Sequence, residues 1–230
     1  MKKFLITLAA IYAVASQTFA ASHHEGLSPE VSLKLLREGN QRFVNMSFKR
    51  PNLNKTRMQK LAKEGQTPFA VVIACSDSRV SLEHIFDRGL GDLFEIKNAG
   101  NLIDDHVIGS VEYALAHLGT KLVVVMGHSC CGCVETAIAD PEGETEYIQS
   151  LIKDVKPAIK MADTQTGDRV YNVAKNNAVL NAKILAESDR VIDEYIKNKG
   201  VVIVPAYYDL ETGKVTFFTD EQITSQNIDK

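Results

Sequence analysis

Between residues 22 and 230 the sequence lacks any apolar run long enough to cross a membrane. It also lacks a strong charge of either sign: 26 Lys and Arg stand against 29 Asp and Glu, a net charge of −3. Neither a bilayer nor a nucleic-acid backbone is therefore the expected partner. Internal repeats and low-complexity tracts are missing, which argues against a solenoid or a tandem array. Cysteine is scarce, four in 230 residues, and Cys130, Cys131 and Cys133 crowd together away from Cys75. That layout is poor for disulfide staples and suits a metal site. What is present is 45% hydrophobic residues, enough for one medium domain whose partner is a small molecule or a second copy of the chain.

Residues 1–20 are set apart, because "MKK", then "FLITLAAIYAVA", then "SQTFA" follow the basic, apolar and small-residue order of a secretory signal. A cut after Ala20 predicts an exported, periplasmic protein with no membrane anchor. Zinc on two thiolates would protect them from oxidation there. The new start, "ASH", would offer an amine, two amides and His23 to Cu(II) or Ni(II), although the reading of His23 and His24 as solvated residues is preferred.

Residues 21–64 read as an N-terminal arm with helices and 65–230 as an α/β core, arm and core forming one domain. Ser28 caps a helix with Pro29 at its first position, and Val31, Leu35 and Leu36 share a face. A second short helix ends near Gly65. From there "FAVVIACS", "LFEIKNAG", "LVVVMGH" and "VVIVPAYYDL" are strands apolar nearly throughout, separated by helical patterns. They predict a mainly parallel central sheet covered by helices, with a C-terminal antiparallel hairpin turning at Gly213. Between Asp168 and Lys199 the residues Val170, Val173, Ala174, Leu180, Ile184, Leu185 and Ile192 mark a core-facing helical pattern.

Two strands end in chemistry. Cys75, Asp77 and Arg79 alternate, so an extended chain would project all three to one side. In "MGHSCCG", Gly127 would permit a turn, and His128 and Cys131, three apart, would share the first turn of a helix. Open parallel sheets bind ligands at the carboxyl ends of their strands, and neighbouring strands would bring Cys75, His128 and Cys131 together. Two thiolates and an imidazole are a zinc set that leaves a fourth position for water. Arg79 could hold Asp77 by charge-assisted hydrogen bonds, and Asp77 could then orient hydroxide on the metal, or could itself be the fourth ligand and close the site.

"CSDSRV", "KNAGN" and "GHSCCG", in this order, resemble the β-class carbonic anhydrases over about residues 28 to 218, and "LREGNQRF" resembles the N-terminal helix of that family. The resemblance implies reversible hydration of CO2 to bicarbonate and one zinc per chain on Cys75, His128 and Cys131, with the Asp77 and Arg79 pair. It implies further that Gln66, Phe94 and Tyr113 line the CO2 pocket, as in the plant-like subclass. A homodimer or homotetramer would complete that pocket across an interface. The bicarbonate-regulated subclass uses a tryptophan, and this chain has none, which predicts an open zinc. Lys97 departs from the family's arginine, and Cys130 and Cys133 are additional, best read as small buried residues. His106 is a candidate proton relay, with a surface or capping role the preferred reading. The alternatives are a CS2 or COS hydrolase on the same fold and a noncatalytic exported metal-binding or thiol protein.

Overall fold

The computed structural model describes residues 26–140 and 142–218. The segment read as a signal and the His23 and His24 pair lie outside them.

Strands β1 (Ala70–Cys75), β2 (Leu93–Asn98), β3 (Leu122–His128), β4 (Val202–Tyr208) and β5 (Val215–Phe217) form one sheet in the order β2-β1-β3-β4-β5. β1 pairs in parallel with β2 and with β3, and β3 with β4. β5 runs antiparallel to β4, and Gly213 in the connection takes a φ of +72°, as the expected hairpin requires. Every residue of β1 and β3 is buried. Their alternate side chains feed two cores: Val72, Ala74, Val124 and Met126 on one face, Val71, Ile73, Val123 and Val125 on the other. Covering both faces is what made these strands read as unbroken apolar runs.

Helices α1 (Pro29–Val44) and α3 (Leu82–Ile85) lie on the first face; α4 (Asp105–Leu118), α7 (Arg169–Ala186) and α8 (Arg190–Lys199) lie on the second. α5 (Gly132–Ala139) and α6 (Glu146–Ala162) pack with α7 in a third cluster that contains Cys75 and Cys131. α2 (Lys55–Glu64), ending at Gly65 as its sequence predicts, buries none of its residues.

Three local expectations are corrected. On α1 the buried positions are Ser32, Leu36, Gly39 and Asn40, while Val31 is 46% exposed. A Cβ at Gly39 would sit 1.8 Å from the Phe86 carbonyl oxygen, so this glycine lets α1 press its small and polar side against the core. Asn40 then donates to the carbonyls of Ile85 and Gly213 and accepts from the Val215 amide. Gly127 does not turn the chain. It lies inside β3, where a Cβ would come within 2.8 Å of the Ala174 carbonyl oxygen, and so it lets α7 cross close to the strand. On α7, Ile184 is exposed, and Asn176, Asn177 and Asn181 are buried beside the expected apolar residues.

Candidate metal centre

The neighbouring strands β1 and β3 end side by side, and each is followed by a tight turn. After Cys75 the chain leaves the sheet. The Val80 amide donates to the Asp77 carbonyl at 3.0 Å, and the Arg79 amide donates to Asp77 Oδ1 at 2.8 Å. Asp77 and Arg79 therefore meet through this turn, not through strand alternation. Arg79 Nε donates to Asp77 Oδ1 at 2.9 Å and Nη2 to Oδ2 at 2.6 Å, a two-pronged grip. The same Nη2 donates to the Cys130 carbonyl at 2.9 Å and ties the two strand-end turns together.

After His128 the chain likewise departs from expectation. His128 is the last residue of β3 and Cys131 is the N-cap of α5, so the two do not share a helical turn. They converge because Cys130 takes the left-handed conformation, φ +50°. Cys130 is thereby exposed, contrary to the buried role expected of it, whereas Cys133 is half-buried against the third core cluster. All four cysteines are free thiols.

Cys75 Sγ, His128 and Cys131 Sγ bring their ligand atoms within 4.8 Å of one another, all three side chains buried. The set fits zinc on two grounds. The sulfurs are 3.9 Å apart; two thiolates on one tetrahedral zinc, at about 2.3 Å each, would be separated by about 3.8 Å. His128 is wholly buried, and its Nδ1 lies 2.8 Å from the Ser129 carbonyl oxygen. A carbonyl can only accept, so Nδ1 carries the proton and the lone pair is on Nε2. That Nε2 is buried with no hydrogen-bond partner. An orphaned imidazole lone pair facing two thiols is costly unless a cation takes it.

The electrostatics agree. The Cys131 thiol beside it, with the Gly100 amide donating at 3.4 Å, holds the Cys75 thiol well below the usual range against the opposing effect of burial. Cys131 is pushed up by its bond to Cys75, by burial and by the Cys75 charge. Their contact thus moves the two thiols in opposite directions, Cys75 down and Cys131 up. The Arg79 grip holds Asp77 down to about 2. Asp77 Oδ2 is 4.0 Å from His128 Nε2, so the carboxylate stands beside the group, and it is not one of the three clustered donors.

Gln66 and Phe94 do not reach this place within one chain. Both line a cavity of about 690 Å³ bounded also by Phe48, Leu53, His84 and Glu95. Phe94 pairs with Val71, four residues before Cys75 on β1, a distance of about 13 Å along the strand. Tyr113, 48% exposed on α4, lies tilted beside Phe94 with ring centroids 6.3 Å apart. The structure thus gathers Gln66 and Phe94 at one cavity, with Tyr113 against Phe94, and leaves all three apart from the metal group. His106 is exposed in the first turn of α4. The Lys97 ammonium donates to the Val80 carbonyl and buttresses the Asp77 turn without a guanidinium.

One contributor was not singled out from the sequence: the Gly100 amide that donates to Cys75. Its signal was the glycine of "KNAGN". Gly100 has φ +80°, and a Cβ there would come within 2.9 Å of Cys133 Sγ.

Known proteins resemble this chain over most of its length. Residues 70–215 match the family model described as carbonic anhydrase. Carbonic anhydrase 2 of Mycobacterium tuberculosis is 36% identical over 190 residues, 81% of this chain and 91% of that protein. The carbonic anhydrase of Mycolicibacterium smegmatis is 34% identical over 191 residues, 82% of this chain and 92% of that one. Among solved structures, one of the two tetrameric β-carbonic anhydrases of Sordaria macrospora superposes with a TM-score of 0.64 at 27% identity, covering 82% of this chain and 94% of that chain.

Proposed function

The chain belongs to the β-carbonic anhydrases, zinc enzymes of the carbonate dehydratase type, and on that premise we propose that it hydrates CO2 to bicarbonate with zinc on Cys75, His128 and Cys131 and with Asp77, fixed by Arg79, as the orienting hydrogen-bond acceptor. Zinc at such a site supplies a Lewis acid that makes water acidic near neutral pH. Asp77 stays ionised throughout that range, because the Arg79 grip holds it down to about 2. One bond from Arg79 to Oδ2 leaves that oxygen a lone pair on the His128 side. It can accept a hydrogen bond from the attacking oxygen and aim it without taking its proton. Because both carboxylate oxygens are engaged by Arg79, the arrangement supports Asp77 as neighbour of the metal and not as its fourth ligand.

The observation that carries this reading is the buried, partnerless Nε2 of His128 facing two thiols. Stopped-flow CO2 hydration by zinc-loaded protein tests it, with CS2 and COS as competing substrates. CO2 turnover that disappears in Cys131→Ser is expected. Turnover of CS2 or COS in place of CO2, or metal binding without turnover, would overturn it.

The pocket reading needs a second copy. Leu53 at the cavity, Met58 on α2 and Tyr113 against Phe94 are exposed, apolar groups that a second chain would cover. The Sordaria relatives are tetrameric. We read this chain as a homodimer or homotetramer in which Gln66, Phe94 and Tyr113 of one copy face the metal group of another, and sedimentation measures that state directly. Export to the periplasm rests on residues 1–20 alone. Recovery of the protein in a periplasmic fraction, beginning at Ala21, is the expected result.

A further inference from the structure

The asparagines of α7 are unusual occupants of a helix core. Asn177 and Asn181 are 1% and 3% exposed, and both turn their amides toward the loop after β2. Asn177 Nδ2 donates to the Gly100 carbonyl at 2.8 Å. Asn181 Nδ2 donates to Asn177 Oδ1 at 3.0 Å and to the Asn177 carbonyl at 2.8 Å. Asn181 Oδ1 accepts from the Ile103 amide at 3.0 Å. The bond onto Asn177 Oδ1 fixes which end of the Asn177 amide faces Gly100, since the oxygen is taken by a donor. Asn98 closes the loop from within by accepting from the Leu102 amide and donating to the Leu102 carbonyl.

Gly100 is therefore held at both ends. Its carbonyl is tied to α7, and its amide donates to Cys75 Sγ at 3.4 Å. The residue has no side chain to anchor it and sits at φ +80°, so nothing of its own fixes the direction of that amide. Asn176 supplies a contrast one residue away. It is 3% exposed on the same helix, but it bonds to Gln165 and to the Ala158 carbonyl on α6, and none of its bonds goes to the loop.

We propose that Asn177, oriented by Asn181, is a positioning residue of the metal centre: it fixes Gly100 so that the Gly100 amide meets the Cys75 sulfur, and so tunes the strength of the Cys75–metal bond. The assignment rests on Cys75 as a zinc ligand. An amide directed at a thiolate draws electron density from it and holds the sulfur in place for the metal. Loss of the clamp lets the amide swing away. The sulfur then becomes a stronger electron donor on a looser scaffold.

The test compares Asn177→Ala, Asn181→Ala and Asn176→Ala, each of which removes one buried amide from the same helix. Two readouts are taken: zinc affinity by competition with a chromophoric chelator, and the sulfur-to-metal charge-transfer band of the cobalt(II)-substituted protein. Asn177→Ala is expected to lose about tenfold in zinc affinity, the lower end of what outer partners of metal ligands contribute, and to shift the band to lower energy. Asn181→Ala moves both in the same direction by less, and it serves as the test should Asn177→Ala fail to fold. Asn176→Ala lowers the unfolding temperature without moving either readout. An unshifted band and unchanged affinity in Asn177→Ala and Asn181→Ala, or equal changes in Asn176→Ala, would overturn the proposal. Absence of a thiolate-to-cobalt band from the unaltered protein would instead overturn the ligand assignment on which it rests.

Discussion

At the carboxyl end of β1 the metal-binding side chains are buried, and their polar neighbours all come from the same chain: Arg79 on Asp77, Ser129 on His128, Gly100 on Cys75. At its amino end, Phe94 and Gln66 border an open cavity, Tyr113 stands half in solvent, and Glu95 Oε1 is buried with no hydrogen-bond partner among the described residues. One end is enclosed by bonds within the chain, and the other borders open space. The difference teaches that zinc chemistry and substrate lining, joined in one functional reading, are separable physical tasks here. The first is set by two turns and a helix, the second, on the proposed reading, by a surface that a second copy covers.

The comparison breaks most completely at the enclosed end. Cys75→Ser and Cys131→Ser are each expected to lose stoichiometric zinc, measured by elemental analysis, and to lower CO2 hydration by on the order of a thousandfold or more. Asp77→Asn keeps the metal but loses the carboxylate, and kcat should fall by about a hundredfold with zinc content unchanged. Arg79→Lys falls less, since it retains the charge and loses the two-pronged grip.

At the open end a mixing experiment sharpens the contrast. Gln66→Ala should cost about tenfold in kcat/KM, the scale of one hydrogen bond to substrate. If metal ligands and Gln66 of one site come from different copies, unfolding and refolding Cys75→Ser together with Gln66→Ala regains activity beyond the sum of the two separate proteins. Strict additivity would place the whole site in one chain.

The smallest effect concerns Glu95. Burial, and then Glu83 beside it, raises its pKa to about 7 from 4.5. The folded protein thus holds a proton that the unfolded chain has released, and the stability this contributes is full below pH 4.5 and lost as the pH climbs through about 7. Glu95→Gln removes the charging cost and should be more stable than the parent by about 1 kcal/mol at pH 8. The advantage should shrink toward pH 4, followed by urea unfolding.

Strands β1 and β3 were legible in the sequence because burial on both faces leaves an unbroken apolar run, and Cys75, His128 and Cys131 because each closes such a run or follows it. The route by which they meet was hidden. Cys130 adopts φ +50° without being glycine, a conformation that tertiary bonds such as the Arg79 to Cys130 carbonyl contact hold in place. The asparagines of α7 were missed for a related reason. Apolar periodicity finds what a helix buries against a core, and Asn177 and Asn181 are buried to satisfy backbone groups of a distant loop. Gln66, Phe94 and Tyr113 carry no periodicity that could place them relative to the metal. Only the register of β2 against β1 shows that Phe94 belongs to the other end.

The seam made by Asn40 has a consequence for the order of events during synthesis. Its side chain joins α1 to residues 173 and 175 positions later in the chain, Gly213 and Val215. Contacts of such long sequence separation form late and slowly. Asn40 can reach the Ile85 carbonyl early, but its bonds to Gly213 and Val215 wait for the connection between β4 and β5, so that part of the seam stays open until the connection is made. A chain stopped before residue 213 lacks these two bonds and leaves the Asn40 side chain held only at the Ile85 carbonyl.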